Sequence, residues 1–198
     1  GAIVTGIGTI MHDNPSLTVR LPADELSAMH LQAAECNPLR VVVDSQLQIS
    51  TDRQLLSLPG TTLIICSQKA WQQQTCTVAN ICVLGASTRS SVVSKVEVKP
   101  LPLQNERIDL MAMLQMLFSD YCIHSVLVES GAVLAGSFVE QGLVDELHSY
   151  IAPCLMGSSA RAMFALPKLQ TMQDKINFEI SACDALGEDI RLILHPIR

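Results

Sequence analysis

Short apolar runs rich in β-branched residues recur at residues 2–5, 40–44, 62–66, 81–84 and 125–129. Several are unbroken, such as Val41-Val42-Val43, which predicts strands buried on both faces. Elsewhere the period changes. Leu110, Met113, Leu114, Leu117 and Phe118 stand at i, i+3, i+4, i+7 and i+8, one face of a helix running from Asp109 to about Asp120. Asp109 is placed to cap it. A second helix is predicted over residues 132–141, after Ser130-Gly131 and before Gly142, a usual stop position. Strand, helix and strand in alternation predict an α/β fold with parallel crossovers. Near the C-terminus, Ile176, Phe178 and Ile180 alternate with polar residues, as do Ile190, Leu192 and Leu194 with Arg191, Ile193 and His195. These read as an antiparallel hairpin added to the sheet, with residues 184–188 as its connection. Residues 21–38 and 99–107 read as exposed connections or short irregular elements.

Composition sharpens this picture. Of 198 residues, 48% are apolar and only 16% charged, against about 25% charged in an average soluble domain. Disorder is excluded, and a surface partly covered by a second subunit, a homodimer, is expected. One domain over residues 1–198 is the default at this length. The net charge of −6 weighs against a nucleic-acid partner. No apolar run approaches the ~20 residues of a membrane span, and there is no leader of the signal-peptide kind. The odd set of seven cysteines without C-x-x-C spacing predicts a reduced, cytoplasmic protein with neither disulfides nor a metal site. A chain running from Gly1 straight into Ala2-Ile3-Val4 reads as a fragment.

Three constellations could carry chemistry. Residues 6–20, G-I-G-T-I-M-H-D-N-P-S-L-T-V-R, follow the first strand. Met11 stands where a Rossmann fingerprint needs a third small residue, and Asp13-Asn14-Pro15 is a strong turn signal. The segment is either a structural turn, with Asp13 capping amides and Arg20 in a surface ion pair, or a glycine-flanked ligand loop. Residues 126–137, V-L-V-E-S-G-A-V-L-A-G-S, form a strand ending in Glu129, a glycine turn and a helix start. Free amides and the helix dipole there favour a phosphate. The alternative is that Gly131 and Gly136 permit close packing and Glu129 is merely solvated. Arg40 to Ser45, R-V-V-V-D-S, taken alone is a strand end. The five histidines have no ligand spacing, and no G-x-S-x-G element appears, so metal and nucleophilic chemistry are poorly supported.

In this order the three segments resemble the reductase domain of the bacterial bifunctional riboflavin-biosynthesis deaminase–reductase. Its pattern runs G-x-x-T-x-x-x-D-x-P-x-L-T-x-R, R-x-V-x-D-S, E-x-G-x-x-L-A and G-L-V-D-E-L-x-x-Y-x-A-P-x-L-x-G. The last is met by residues 142–157, G-L-V-D-E-L-H-S-Y-I-A-P-C-L-M-G. The resemblance covers nearly the whole chain, though residues 51–103 follow it only in strand pattern. It implies a dihydrofolate-reductase-like fold: a mixed, mostly parallel sheet flanked by helices, with an antiparallel C-terminal hairpin. It also implies NADPH-dependent reduction of 5-amino-6-(5-phosphoribosylamino)uracil to the ribitylamino compound. Carried over by position, Thr9, Asp13 and Ser45 contact the cofactor. So do Gly131, Ala132, Val133, Leu134, Ala135, Gly136 and Ser137. Leu17, Arg20 and Glu129 contact the phosphoribosylaminopyrimidine substrate, and Asp13 is the nominee to orient or relay a proton. Ser67 and Lys69 are candidates for the 2′-phosphate on position alone.

The family's reductase domain begins earlier, with a central strand and an S-L-D-G element, after a zinc deaminase with H-A-E and P-C-x-x-C motifs. None of these is in this chain, so the resemblance implies no deaminase and an incomplete reductase site. Two other readings stay open: a catalytically silent domain of the same fold used for oligomerisation or ligand sensing, and a reductase of the undeaminated diaminopyrimidine.

Overall fold

The computed structural model describes residues 1–20, 37–73 and 94–198. The described chain divides into two compact units, Gly1–Gly131 and Ala132–Arg198.

The first unit is built on a five-stranded parallel sheet. Its strands are β1 (Ala2–Gly6), β2 (Leu39–Val43), β3 (Gly60–Ser67), β4 (Ser94–Leu101) and β7 (Val126–Val128), in the order β4-β3-β2-β1-β7. A two-stranded ribbon, β5 (Leu103–Gln104) and β6 (Arg107–Ile108), lies between β4 and β7 in sequence. The unbroken apolar runs are the inner strands, as doubly buried strands must be. Val4, Val41, Val42, Leu63, Ile64 and Ile65 are fully buried. Alternation divides them: Ile3, Val42, Ile64 and Cys66 join Ile10, Leu47, Leu55 and Leu56 in one cluster, while Val4, Val41, Leu63 and Ile65 face the other way.

Helices α1 (Ile7–Asp13) and α2 (Gln68–Gln73) start directly at the ends of β1 and β3. Helix α3 (Leu110–Tyr121) has Asp109 as N-cap, its carboxylate accepting the Ala112 amide at 3.0 Å. Leu110, Met113 and Leu117 are its buried stripe. Phe118, expected on that stripe, is instead exposed and meets the His124 ring edge-on, centroids 5.3 Å apart. The stripe is three positions wide, and Phe118 lies on its rim.

The second unit begins with α4 (Ala132–Glu140) and ends in a three-stranded antiparallel sheet, β8 (Leu147–Ile151), β9 (Phe178–Leu186) and β10 (Asp189–Pro196), in the order β8-β10-β9. The expected hairpin is present but pairs with β8 rather than extending the parallel sheet. Its strands run further than the alternation suggested, leaving only Gly187 and Glu188 as the turn, with Gly187 at φ 65°.

Two sequence expectations need correction. Residues 99–107 are not a loose connection, because β4 runs to Leu101 and the β5–β6 ribbon follows. Residues 6–20 hold a helix where a turn was expected. The expected strand at 81–84 and most of the 21–38 connection lie outside the described residues. Among the described residues no helix is long and apolar enough to cross a membrane, and Cys66, Cys122, Cys154 and Cys183 are free thiols.

Candidate active site

Parallel order places the carboxyl ends of β2, β1 and β7 side by side, and the three singled-out segments leave the sheet there. Open α/β sheets hold their ligands at this edge.

From β1 the chain turns into α1 without a side-chain cap. Thr9, in the first turn, is half-buried. Asp13 closes the helix, exposed, with its Oδ1 2.8 Å from His12 Nδ1. It does not cap backbone amides. Asn14 then adopts the left-handed conformation at φ 44°, and its amide donates to the Ile10 carbonyl. Leu17 is also left-handed, at φ 50°, with its side chain buried in the core cluster. A left-handed non-glycine residue costs roughly 1–2 kcal/mol, which the burial of Leu17 offsets. Leu17 therefore serves the site as an anchor, its side chain facing the core.

Two distant residues fix the loop this anchor holds. Gln54 donates its amide to Asn14 Oδ1 at 3.2 Å and its side-chain Nε2 to the Asn14 carbonyl. Asn37 accepts the Val19 amide at 3.1 Å. Arg20 ends the loop exposed, donating to Ser16 Oγ at 3.0 Å. Among the described residues Arg20 has no acidic partner.

From β2, Asp44 and Ser45 follow at once. Asp44 is fully buried and Ser45 half-buried. From β7, the Glu129 amide donates to the Val4 carbonyl at 3.0 Å, and its carboxylate is exposed. Gly131 is exposed, and a Cβ built on it would meet only Thr9 Oγ1, at 3.9 Å. The structure thus brings Thr9 and Gly131 together at the ends of neighbouring strands.

In the second unit, α4 starts at the next residue, and its first-turn amides have no acceptor within the helix. The candidates along it differ in what they can offer. Val133 is exposed, whereas Ala132, Leu134 and Ala135 are half-buried. Ser137 is buried and donates its hydroxyl to the Val133 carbonyl at 2.9 Å. Gly136 is committed to packing, because a Cβ there would lie 2.2 Å from the Ala165 carbonyl oxygen. The Ala165 amide in turn donates to the Ala132 carbonyl at 2.9 Å.

At the next strand over, Ser67 Oγ accepts the Ala70 amide at 3.1 Å and so caps α2, while Lys69 is exposed. Cys66 beside them is no nucleophile. Burial first, and the nearby Asp44 charge second, push its thiol up to about 11, so the thiolate that reacts is scarce at neutral pH.

This arrangement can be set against known proteins. The RibD C-terminal domain profile matches residues 1–192. The chain belongs to the RibD C-terminal domain family. Within this family it is similar to the riboflavin biosynthesis protein RibD of Escherichia coli, at 31% identity over 195 residues. That match covers 98% of this chain and 48% of the E. coli protein. It is also similar to the 5-amino-6-(5-phosphoribosylamino)uracil reductase of Buchnera aphidicola from Acyrthosiphon pisum, 24% identical over 98% of this chain and 86% of that protein. A solved structure of Acinetobacter baumannii RibD superposes with a TM-score of 0.75 and 31% identity, covering all of this chain and 47% of that one. The RibD C-terminal chain described here thus spans about half the length of the RibD relatives it matches, with a mostly parallel sheet and an antiparallel hairpin as its fold.

Sequence reasoning missed Asn37 and Gln54 as supports of the Arg20 loop. No spacing signal marks them, because they act across 18 and 40 residues of chain.

Proposed function

We propose that this chain is the reductase module that converts 5-amino-6-(5-phosphoribosylamino)uracil to its ribitylamino product with NADPH. The observation that carries the reading is the convergence of the three family segments on the carboxyl edge of β2-β1-β7, where a Cβ on Gly131 would come within 3.9 Å of Thr9 Oγ1. Family membership and the name of the Buchnera relative support the substrate.

The donor set fits a dinucleotide. The glycine turn at Gly131 admits close backbone approach, and the start of α4 offers unpaired amides to a pyrophosphate. In the first unit, Ser45 and Thr9 offer hydroxyls at the ends of β2 and β1. Lys69, exposed and without an acidic partner among the described residues, is the candidate cation for a 2′-phosphate. When bound, the nicotinamide supplies the hydride. Arg20 offers a planar fork of donors to the ribose phosphate. Glu129 accepts hydrogen bonds from the amino-uracil or the ribityl hydroxyls. Ring opening moves a proton from the glycosidic nitrogen to the ring oxygen, and Asp13 orients or relays it. The apolar surface supports a homodimer, and the buried free thiol of Cys66 suits a reducing, cytoplasmic setting.

The test is NADPH oxidation with the aminouracil and, separately, with the undeaminated diaminopyrimidine. Both this chain and the same chain joined to the upstream segment of its relatives are assayed. Turnover of the aminouracil is expected. Turnover of the diaminopyrimidine alone would reassign the substrate, and no turnover by either folded form would favour a silent ligand-sensing or oligomerisation domain.

A further inference from the structure

Strand β2 and the residue that follows it carry two ionisable side chains at the same alternation, Arg40 and Asp44, and neither has an ionic partner among the described residues. Arg40 is fully buried and spends its guanidinium on Thr62 Oγ1 and the carbonyls of Leu58 and Pro59. Asp44, four residues on and about 13 Å away at strand rise, is also fully buried. Burying a carboxylate without a cation is expensive, so its surroundings must explain why it stands there.

Those surroundings are backbone amides. Asp44 Oδ2 accepts the Ile49 amide at 2.8 Å, and the amides of Gln46, Leu47 and Gln48 also bear on the carboxylate. The Leu47 amide closes the turn onto the Asp44 carbonyl at 3.0 Å. Leu47 is held left-handed at φ 54°, and Leu47 and Ile49 are both sunk in the core. The ladder to β3 continues past the strand end, with the Asp44 amide donating to Ile65 and the Ser67 amide to Ser45. The Ser45 backbone is thereby fixed, and its half-buried hydroxyl makes no hydrogen bond to a described residue.

We propose that Asp44 is a positioning residue for dinucleotide binding, its amide-collared carboxylate fixing the turn that presents Ser45. This rests on the cofactor reading above. Desolvation raises the Asp44 carboxyl above the ordinary aspartate value, against the pull of the amides. A raised folded value means that the group contributes stability below its unfolded pKa and loses it as pH rises through the folded one. The charged form of the carboxylate therefore costs the fold stability while ordering the turn.

The test is Asp44→Asn, nearly isosteric and uncharged. The variant is expected to keep or exceed the wild-type unfolding midpoint at neutral pH, with faster amide exchange confined to residues 46–49. Its Kd for NADP⁺ should rise about tenfold, the order of one lost hydrogen bond, with the KM for the pyrimidine unchanged. The ratio of variant to wild-type Kd should shrink towards one as pH falls and wild-type Asp44 protonates. A variant that binds NADP⁺ like wild type at every pH overturns the role of Asp44. Wild-type protein that binds no NADP⁺ overturns the cofactor reading itself. Should the variant not fold, wild-type affinity for NAD⁺, which lacks the titrating 2′-phosphate, carries the test. It falls as pH drops and Asp44 takes up a proton if a buried carboxylate orders the turn, and a flat profile down to the acid limit of the fold overturns the proposal.

Discussion

Arg20 is exposed, held by a single hydrogen bond to Ser16 and free of any carboxylate among the described residues, so its charge is available to a phosphate. Arg20→Ala is expected to weaken the pyrimidine phosphate by ~1.5–3 kcal/mol, the worth of a charge-assisted contact, and to leave NADPH affinity unchanged. Titration with each ligand separately checks this, and equal weakening of both would contradict the assigned role. The placement of Thr9, Arg20, Ser45 and Glu129 in segments leaving the strand ends was legible in the sequence because each belongs to a contiguous motif. The two readings of residues 6–20 were less separable, because Asp13-Asn14-Pro15 is a turn signal whatever precedes it. The left-handed backbone and buried side chain of Leu17 tie this loop to the core under either reading.

One glycine lies in α4 and another just before it, and the two look alike in sequence but differ in space. A Cβ on Gly136 would strike the Ala165 carbonyl at 2.2 Å, whereas one on Gly131 meets Thr9 Oγ1 at an ordinary 3.9 Å. Gly136→Ala is therefore expected to destabilise the fold by about 1–3 kcal/mol, the usual cost of overpacking. Gly131→Ala should leave stability near wild type and weaken NADPH instead. Denaturant unfolding paired with NADPH titration separates the two, and a reversed pattern would exchange their roles. The inner strands and α3 were readable because doubly buried runs and a one-sided stripe leave unmistakable periods. Helix α1 was not, because seven residues make barely two turns and contribute one fully buried side chain, Ile10. Strand β4 was also missed. Its alternation of Val96 and Val98 with Lys95, Glu97 and Lys99 is that of an edge strand, where charges and Pro100 discourage pairing with other chains.

Many large apolar side chains are exposed among the described residues. In the second unit Leu155, Met156 and Met172 are at least 77% exposed, and Tyr150, Ile151 and Ile190 are about half exposed on neighbouring strands. Large apolar surfaces of this kind are usually covered. A homodimer is therefore expected in sedimentation equilibrium, and a monomeric mass would exclude it. The sheet order has a separate consequence for how the molecule is made. Strand β1 lies inside the sheet, between β2 and β7, and its partner across one side, beginning at Val126, lies about 120 residues further along the chain. At 5–20 residues per second of synthesis, that partner leaves the ribosome on the order of ten seconds later. For that interval one side of an apolar strand stands open as an edge, so a chaperone that shields nascent β1 should raise the yield of folded protein more than one acting after release.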